Sequence, residues 1–410
     1  MYTNFEKEKL GKTFQYYRNK MNVKWQEISK KSKMSKTYYS KLSNGIIFDN
    51  NSIYDEFLDF FNLTFTKKDD FEIWLNQYLL NLIPALEQFD QSLIKKMNIE
   101  YQEELKEYKD SPIYNQYYQI FEHIFRYYHD NKYLNVQEIK EDILLIENGF
   151  AEEELVVFLL EVMYISNNNS IGNIKLRDQI INVIDKIDDK VLIYIKAIDE
   201  KCKGRLNSAL DYFEKSCVCW KNVSLYREVK SINGKFMIYS NIDDLKAINT
   251  ICQLKNEVNS DNLPNSFKNS VNYNIGIYYF MKKKYEESYN CFYENIIKYD
   301  GIKEMIFIGS ICTHLQKELP ECFTSIDYSN SNYKQYIDYY KMKKEGKTDT
   351  DLVDYIINVL MYEKLVHNEY AEPMWRIYEY ELFEFMKKSK KHTKYYIKYK
   401  EMLDKICKYV

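Results

Sequence analysis

"NSVNYNIGIYYFMKKKYEESYNCFYENIIKYD", residues 269–300, is the stretch whose reading decides the fold. Gly276, Tyr279, Tyr285, Ser288 and Phe292 follow one another as a small residue, an aromatic, an aromatic after the turn, a small residue and an aromatic. Each has a packing reason. Small residues let a first helix approach a second, and aromatics fill the seam between neighbouring repeats.

That order resembles the tetratricopeptide pattern, and it recurs outward from 269. In "KVLIYIKAIDEKCKGRLNSALDYFEKSCVCW", residues 190–220, Ala197, Leu206, Ala209 and Phe213 stand in the same register. Between the two, "KSINGKFMIYSNIDDLKAINTICQLKNEV" places Lys235, Ala247 and Ile251 more loosely. Starts near 190, 228 and 269 give a spacing slightly longer than the family's, so the connecting loops are longer than its consensus. Weaker candidates occupy 112–150, 302–325 and 354–385. Composition agrees: 410 residues with only 10 Gly and 5 Pro leave little turn punctuation, which argues for helices on short connections. The expectation is an all-α chain: a small N-terminal domain over 1–66, then a right-handed superhelical tetratricopeptide-like array over 71–410.

Charge divides the chain in the same place. Residues 1–48 hold eleven Lys/Arg and three Asp/Glu, a net +8, so the other 362 residues must carry −11 to reach the total of −3. A basic head on an acidic body means the head seeks a polyanion. Four short helical patterns fit this head: Leu10, Phe14, Tyr17 and Met21 in the first; Val23 and Ile28 in the second; Met34, Tyr39 and Leu42 in the third; Ile53, Phe57, Phe60 and Phe61 in the fourth. Ser35 is an N-cap for the third, and Asn44-Gly45 stops it. With Tyr39 and Leu42 inward, Lys36, Thr37, Ser40 and Lys41 turn outward and Tyr38 sits on the flank. That face suits a major groove. Lys30, Lys31, Lys33 and the amide end of the second helix would bind phosphates.

"LGKTFQYYRNKMNVKWQEISKKSKMSKTYYSKLSNG" resembles the repressor-type (XRE/Cro-like) helix-turn-helix over residues 5–63. Ser29 stands where the family has Ala, and Lys33 stands at the turn Gly. Trp25 replaces the family's phosphate-contacting Gln, so that contact passes to Gln26. The other reading of the segment is a basic solvated bundle.

A helix-pair array has a concave groove. Asn274 and Asn233 fall at the same position of two repeats, and an amide that donates and accepts suits an extended peptide backbone. Tyr273 and Ile277 would form the floor, with Asn358 a later analogue. Arg227 and Arg126 are candidate carboxylate partners, since guanidinium forks suit carboxylates. Head and body together resemble the peptide-regulated bacterial receptors of the Rap–NprR–PlcR–PrgX–Rgg group, with the phage arbitrium receptors as close relatives. The resemblance implies a cytoplasmic homodimeric transcription regulator that binds operator double-stranded DNA. It also implies control by a short signalling peptide in the groove, for quorum sensing or lysis–lysogeny communication, and C-terminal repeats at the dimer interface. The alternative is an interaction protein whose repeats sequester another protein while the head only localises it.

Other chemistries find no support. No Walker loop, GxSxG, HExxH or EF-hand loop occurs, so an enzyme, a cofactor or a metal is not expected. His123, His129, His314, His367 and His392 are unpaired by motif. "CVC" at 217–219 is a weak metal or redox signal, and buried reduced thiols are the plainer reading. No apolar run is long enough to span a bilayer and "MYTNFEKEKLGK" has no apolar signal core, so a cytosolic location is expected and a membrane is not. The basic run 387–400 reads as a solvated face, with a second phosphate contact as its sharper alternative.

Overall fold

The computed structural model describes residues 2–32, 35–260, 262–299, 301–329, 331, 333–363, 372–388 and 392–406. Every regular element among them is helical. The first helices are α1 Asn4–Lys20, α2 Trp25–Ser32, α3 Lys36–Ser43, α4 Ser52–Phe60, α5 Phe71–Gln88, α6 Gln91–Leu105, α7 Pro112–Tyr128 and α8 Val136–Glu147. Then come α9 Glu153–Ser166, α10 Ile174–Ile184, α11 Lys190–Cys202, α12 Leu206–Trp220, α13 Leu225–Ile242, α14 Asp244–Val258, α15 Asn265–Met281 and α16 Tyr285–Tyr299. The last are α17 Glu304–Leu315, α18 Cys322–Ser325, α19 Lys334–Lys344, α20 Asp349–Tyr355, α21 Glu372–Lys388 and α22 His392–Ile406. Ile356–Glu363 runs on from α20 as a π-helical segment. The chain divides into two units, residues 1–250 and 251–410.

In the first unit, α1 opens on a reciprocal cap. The Glu6 N–H donates to the Thr3 hydroxyl at 3.1 Å and the Thr3 N–H to the Glu6 carboxylate at 2.7 Å. Both flanks of α1 are buried. Leu10 and Phe14 lie on the side of α3 and α4, where Phe14 stacks on Phe57 at 5.1 Å. Lys9, Thr13 and Lys20 serve the side of α7 and α8. Lys9 Nζ donates to the Phe150 carbonyl at 2.5 Å and to Glu152 at 2.8 Å, the Thr13 hydroxyl reaches Gln116 at 3.4 Å, and Lys20 pairs with Glu141 at 3.0 Å. A lysine is tolerated in such a seam because it is paired there. Met21, expected to extend the buried stripe, caps α1 instead and is 51% exposed.

The connection after α4 is tied down as well. Ser111 Oγ accepts from the Thr66 N–H at 3.3 Å, and the Tyr114 hydroxyl accepts from the Lys68 N–H at 3.0 Å. One set of buried side chains therefore runs on from Leu10 to Trp220. Further along, α7 packs on α9, α9 on α11, α11 on α12 and α12 on α13, and α13 returns to α5. Ala197, Ala209 and Phe213 are fully buried, in line with the register read for 190–220. In α13 the close-packed small residue is Gly234, where a Cβ would meet the Phe213 ring at 2.3 Å. Lys235, expected in that register, pairs with Glu214 of α12. The repeat expected near 228–258 straddles the boundary between the units.

In the second unit, α15 and α16 form the hairpin read from 269–300. Lys283 makes the turn at φ 58°. A Cβ on Gly276 would lie 2.8 Å from the Phe292 ring, and the Ser288 hydroxyl donates to the Gly276 carbonyl at 2.9 Å. Small residues thus bring the two backbones together, as their spacing implied. Phe292 stacks on Phe307 of α17 at 4.7 Å and joins a core that includes Tyr340 and Tyr378. The candidate repeat at 354–385 begins at the end of α20 and runs into the π-helical segment, and part of it lies outside the described residues.

Candidate nucleic-acid interface

The exposed face of α3 is made by its buried one. Ser35, extended at φ −72° and ψ 151°, caps the helix by accepting the Tyr38 N–H at 3.2 Å. The chain leaves α3 through Asn44 and Gly45, the latter at φ 79°. Tyr39 and Leu42 are buried. Helix periodicity then leaves Lys36, Thr37, Ser40 and Lys41 exposed. α1 crosses behind α3 so closely that a Cβ on Gly11 would stand 2.1 Å from the Leu42 carbonyl oxygen. Only glycine permits that approach, and it sets how far α3 stands out.

The neighbours fall where their chemistry puts them. Tyr38 is half-buried and stacks on Phe48 at 4.1 Å. Trp25 packs against Tyr39 at 5.2 Å as a wall of the core, while Gln26 and Lys30 are exposed. Lys33 and the side chain of Lys31 lie outside the described residues. The Tyr39 hydroxyl reaches Gln15 at 3.2 Å, and burial pushes its pKa well above the usual tyrosine value.

Electrostatics separates the basic head into two parts. Lys9, Lys12 and Lys20 are engaged by Glu152, Glu8 and Glu141. No carboxylate among the described residues pairs with Lys30, Lys36 or Lys41. Of the cations without a carboxylate partner, Lys30, Lys36 and Lys41 are exposed on α2 and α3, whereas Lys7 of α1 is buried. A cavity of about 320 Å³ lies beside α3, with Arg18, Lys36, Ser40, Glu147 and Asn148 among its lining residues. Its far wall is the end of α8, so an acidic residue of the body stands close to the cationic helix. Sequence reasoning missed this neighbour, because Glu147 stands 111 positions after Lys36 and no local pattern joins them.

The residues expected to hold a peptide fall on both units of the chain. Asn233 lies on α13 in the first unit, half-buried; Asn274 lies on α15 in the second, half-buried. Tyr273 packs edge-on against Phe292 and Phe307 at 5.9 and 5.8 Å, and Ile277 leans on the same core. Asn358 is exposed on the π-helical segment. Arg227 is a correction. Its guanidinium is internal, 3% exposed, paired with Glu161 at 3.1 Å and donating to the Leu86 and Glu87 carbonyls at 3.1 and 2.9 Å, which satisfies the C-terminal turn of α5. A peptide carboxylate cannot reach it without breaking that set. Arg126 is likewise engaged, by Glu138 at 2.5 Å.

The group that Arg227 serves was missed. Glu161 sits within "LVVFLLEVMYI", 155–165, and a lone carboxylate in so apolar a helix was the available signal. Burial alone would raise its pKa; the charges of Arg227 and Lys230, with the Tyr128 and Arg227 hydrogen bonds, bring it down to about 2. Cys217 is buried, its thiol pushed up to about 11 by that burial. Among the described residues no three His, Cys, Asp or Glu gather as metal ligands, and no helix is long and apolar enough to cross a membrane. His123 pairs with Asp142 at 2.7 Å, and His367 lies outside the described residues. No known protein family matches the chain, and no curated protein matches it either.

Proposed function

We propose that the protein is a DNA-binding transcription regulator of the helix-turn-helix type, with a tetratricopeptide-like body that senses a short peptide. The observation that carries the reading is α3: two lysines and two hydroxyls exposed on one face, neither lysine paired with a carboxylate, on a helix anchored by buried Tyr39 and Leu42. Lys36, Thr37, Ser40 and Lys41 read base edges, while Gln26, Lys30, Lys31, Lys33 and the α2 N-terminus hold phosphates. Two heads in a homodimer match two half-sites. Pairs from α1 to α7, α8 and the loop after α8 give the body a hold on the head, so a ligand that moves those elements moves α3.

Selection of duplex DNA from a random library, followed by anisotropy on the enriched site, tests this. About four phosphate contacts lower affinity roughly 100-fold between about 50 and 200 mM salt. The double variant Lys36→Ala/Lys41→Ala binds at least ~10-fold more weakly with unchanged helicity. Failure to enrich any sequence at low salt ends the DNA reading. For the sensing half, calorimetry with peptides encoded beside the gene compares the wild type with Asn274→Ala; equal affinities remove Asn274 from the site.

A further inference from the structure

The first unit buries one carboxylate against two cations. Glu161 accepts from Arg227 at 3.2 and 3.1 Å, from the Tyr128 hydroxyl at 2.5 Å and from Lys230 Nζ at 3.2 Å. Arg227 and Tyr128 alone supply three of these four contacts. The nearby Lys190–Glu87 pair, at 2.9 Å, balances itself. The cluster is left with one positive charge in excess, and Lys230 carries it. Burial in the interior costs an ion several kcal/mol unless an opposite charge is close, and Lys230 has only a share of Glu161, which Arg227 also holds, so its ammonium can take a second anion.

The surroundings of Lys230 have the form of a receptor. Its side chain is 13% exposed. Its ammonium stands 4.6 Å from the centre of the Tyr194 ring and 5.7 Å from that of Tyr226, and Tyr226 lies one helical turn before it on α13. Tyr127 of α7 and Tyr194 of α11 are partly exposed, and their hydroxyls make no hydrogen bond within the described protein. Both hydroxyls lie within electrostatic reach of Glu161, and burial holds their pKa values far above neutrality, so they stay donors. Burial also lowers the Lys230 pKa, with Arg227 adding and Glu161 opposing. Helices α7, α9, α11 and α13 thus present ring faces, two phenol hydroxyls and an ammonium with two N–H groups to spare.

We propose that this cluster of side chains binds one carboxylate, carried on an aromatic or apolar body. A single excess charge matches a monoanion, whereas a phosphate dianion would overshoot it. The ring faces and cation favour a flat or apolar carrier. The carboxylate comes either from the end of a short peptide or from a free aromatic acid. As the ligand chemistry of the sensing body the site rests on the function proposed above, while its charge balance stands alone.

Thermal melts of the full chain test it, with benzoate, N-acetyl-Ala-Phe, the C-terminal amide of that dipeptide, and phosphate as probes. The free acids raise the melting temperature by ~3 °C for each tenfold rise beyond half-saturation. The amide and phosphate do not. Lys230→Met loses the shift, and without any probe it melts no lower than the wild type, because Arg227 and Tyr128 still hold Glu161 and the excess charge is gone. Tyr194→Phe keeps the ring and the fold and weakens the acid several-fold; it decides the matter if Lys230→Met does not fold. A preference for benzoate identifies a free acid as the source, and a preference for the dipeptide a peptide end. The site is refuted if no acid shifts the wild type by about 10 mM, or if the folded variants shift as much as the wild type. An acid that shifts the melt but leaves DNA affinity unchanged keeps the site and removes its part in regulation.

Discussion

Single charged residues inside this protein act through what they are paired with. Glu161 is satisfied by Arg227, Tyr128 and Lys230, so Glu161→Gln leaves two buried cations without their anion. The expected loss is about 3–5 kcal/mol in urea unfolding. Its pH dependence has a defined sign. The folded pKa, about 2, lies below the unfolded value, so the contribution is complete above the ordinary carboxylate range and is lost as pH falls through that range toward 2. Glu304 behaves in the opposite way. It is fully buried, Asn295 donates to one oxygen at 3.2 Å, the other oxygen has no partner, and burial raises its pKa. Its protonated form is the one the fold prefers. Stability is therefore greatest below the ordinary carboxylate pKa and is lost as pH rises through the folded value. Glu304→Gln should unfold at higher denaturant than the wild type near neutral pH, with the two converging at about pH 4. A variant no more stable at neutral pH would contradict this.

At the scale of elements, helix positions are set by caps and by small residues at crossings. Ser35→Ala removes the α3 cap, with an expected loss of ~1 kcal/mol and a proportionate weakening of DNA binding. Gly11→Ala is harsher, because the new Cβ meets the Leu42 backbone carbonyl, which cannot rotate away. α1 and α3 must separate, and DNA affinity should fall well beyond the loss of stability. At Gly276 the obstacle is the edge of the Phe292 ring, so Gly276→Ala loosens the α15–α16 hairpin and leaves the DNA face alone. Parallel melts and binding curves for these variants separate a helix that is misplaced from one that is merely less stable. Equal DNA affinity in Gly11→Ala and the wild type would show that the crossing does not position α3.

For the whole molecule, the basic N-terminal segment and the helices after it share one interior. Phe5, Lys9, Thr13 and Tyr16 of α1 would all be uncovered in a fragment ending at residue 66, and Lys9 would lose Glu152 and the Phe150 carbonyl. Residues 1–66 alone should unfold non-cooperatively, while residues 1–250 should melt as a unit with the head protected from protease. Independent folding of 1–66 would mean that the α1–α7 and α1–α8 contacts carry little energy.

Read alone, the sequence determined the helical class, the α15–α16 hairpin, the α3 cap and the outward set Lys36, Thr37, Ser40 and Lys41. All of these rest on periods and caps that act within a few residues. It did not determine that Arg227 points inward, that Met21 ends a helix in solvent, that Gly234 and not Lys235 packs in α13, or that Lys9 is a core residue. Those depend on which helix lies opposite, and the partners of Lys9 and Arg227 stand 141 and 66 positions away. A scarce arginine looks the same in sequence whether it awaits a ligand or already holds a glutamate. Only packing the helices together brings the second charge to 3.1 Å and decides between them.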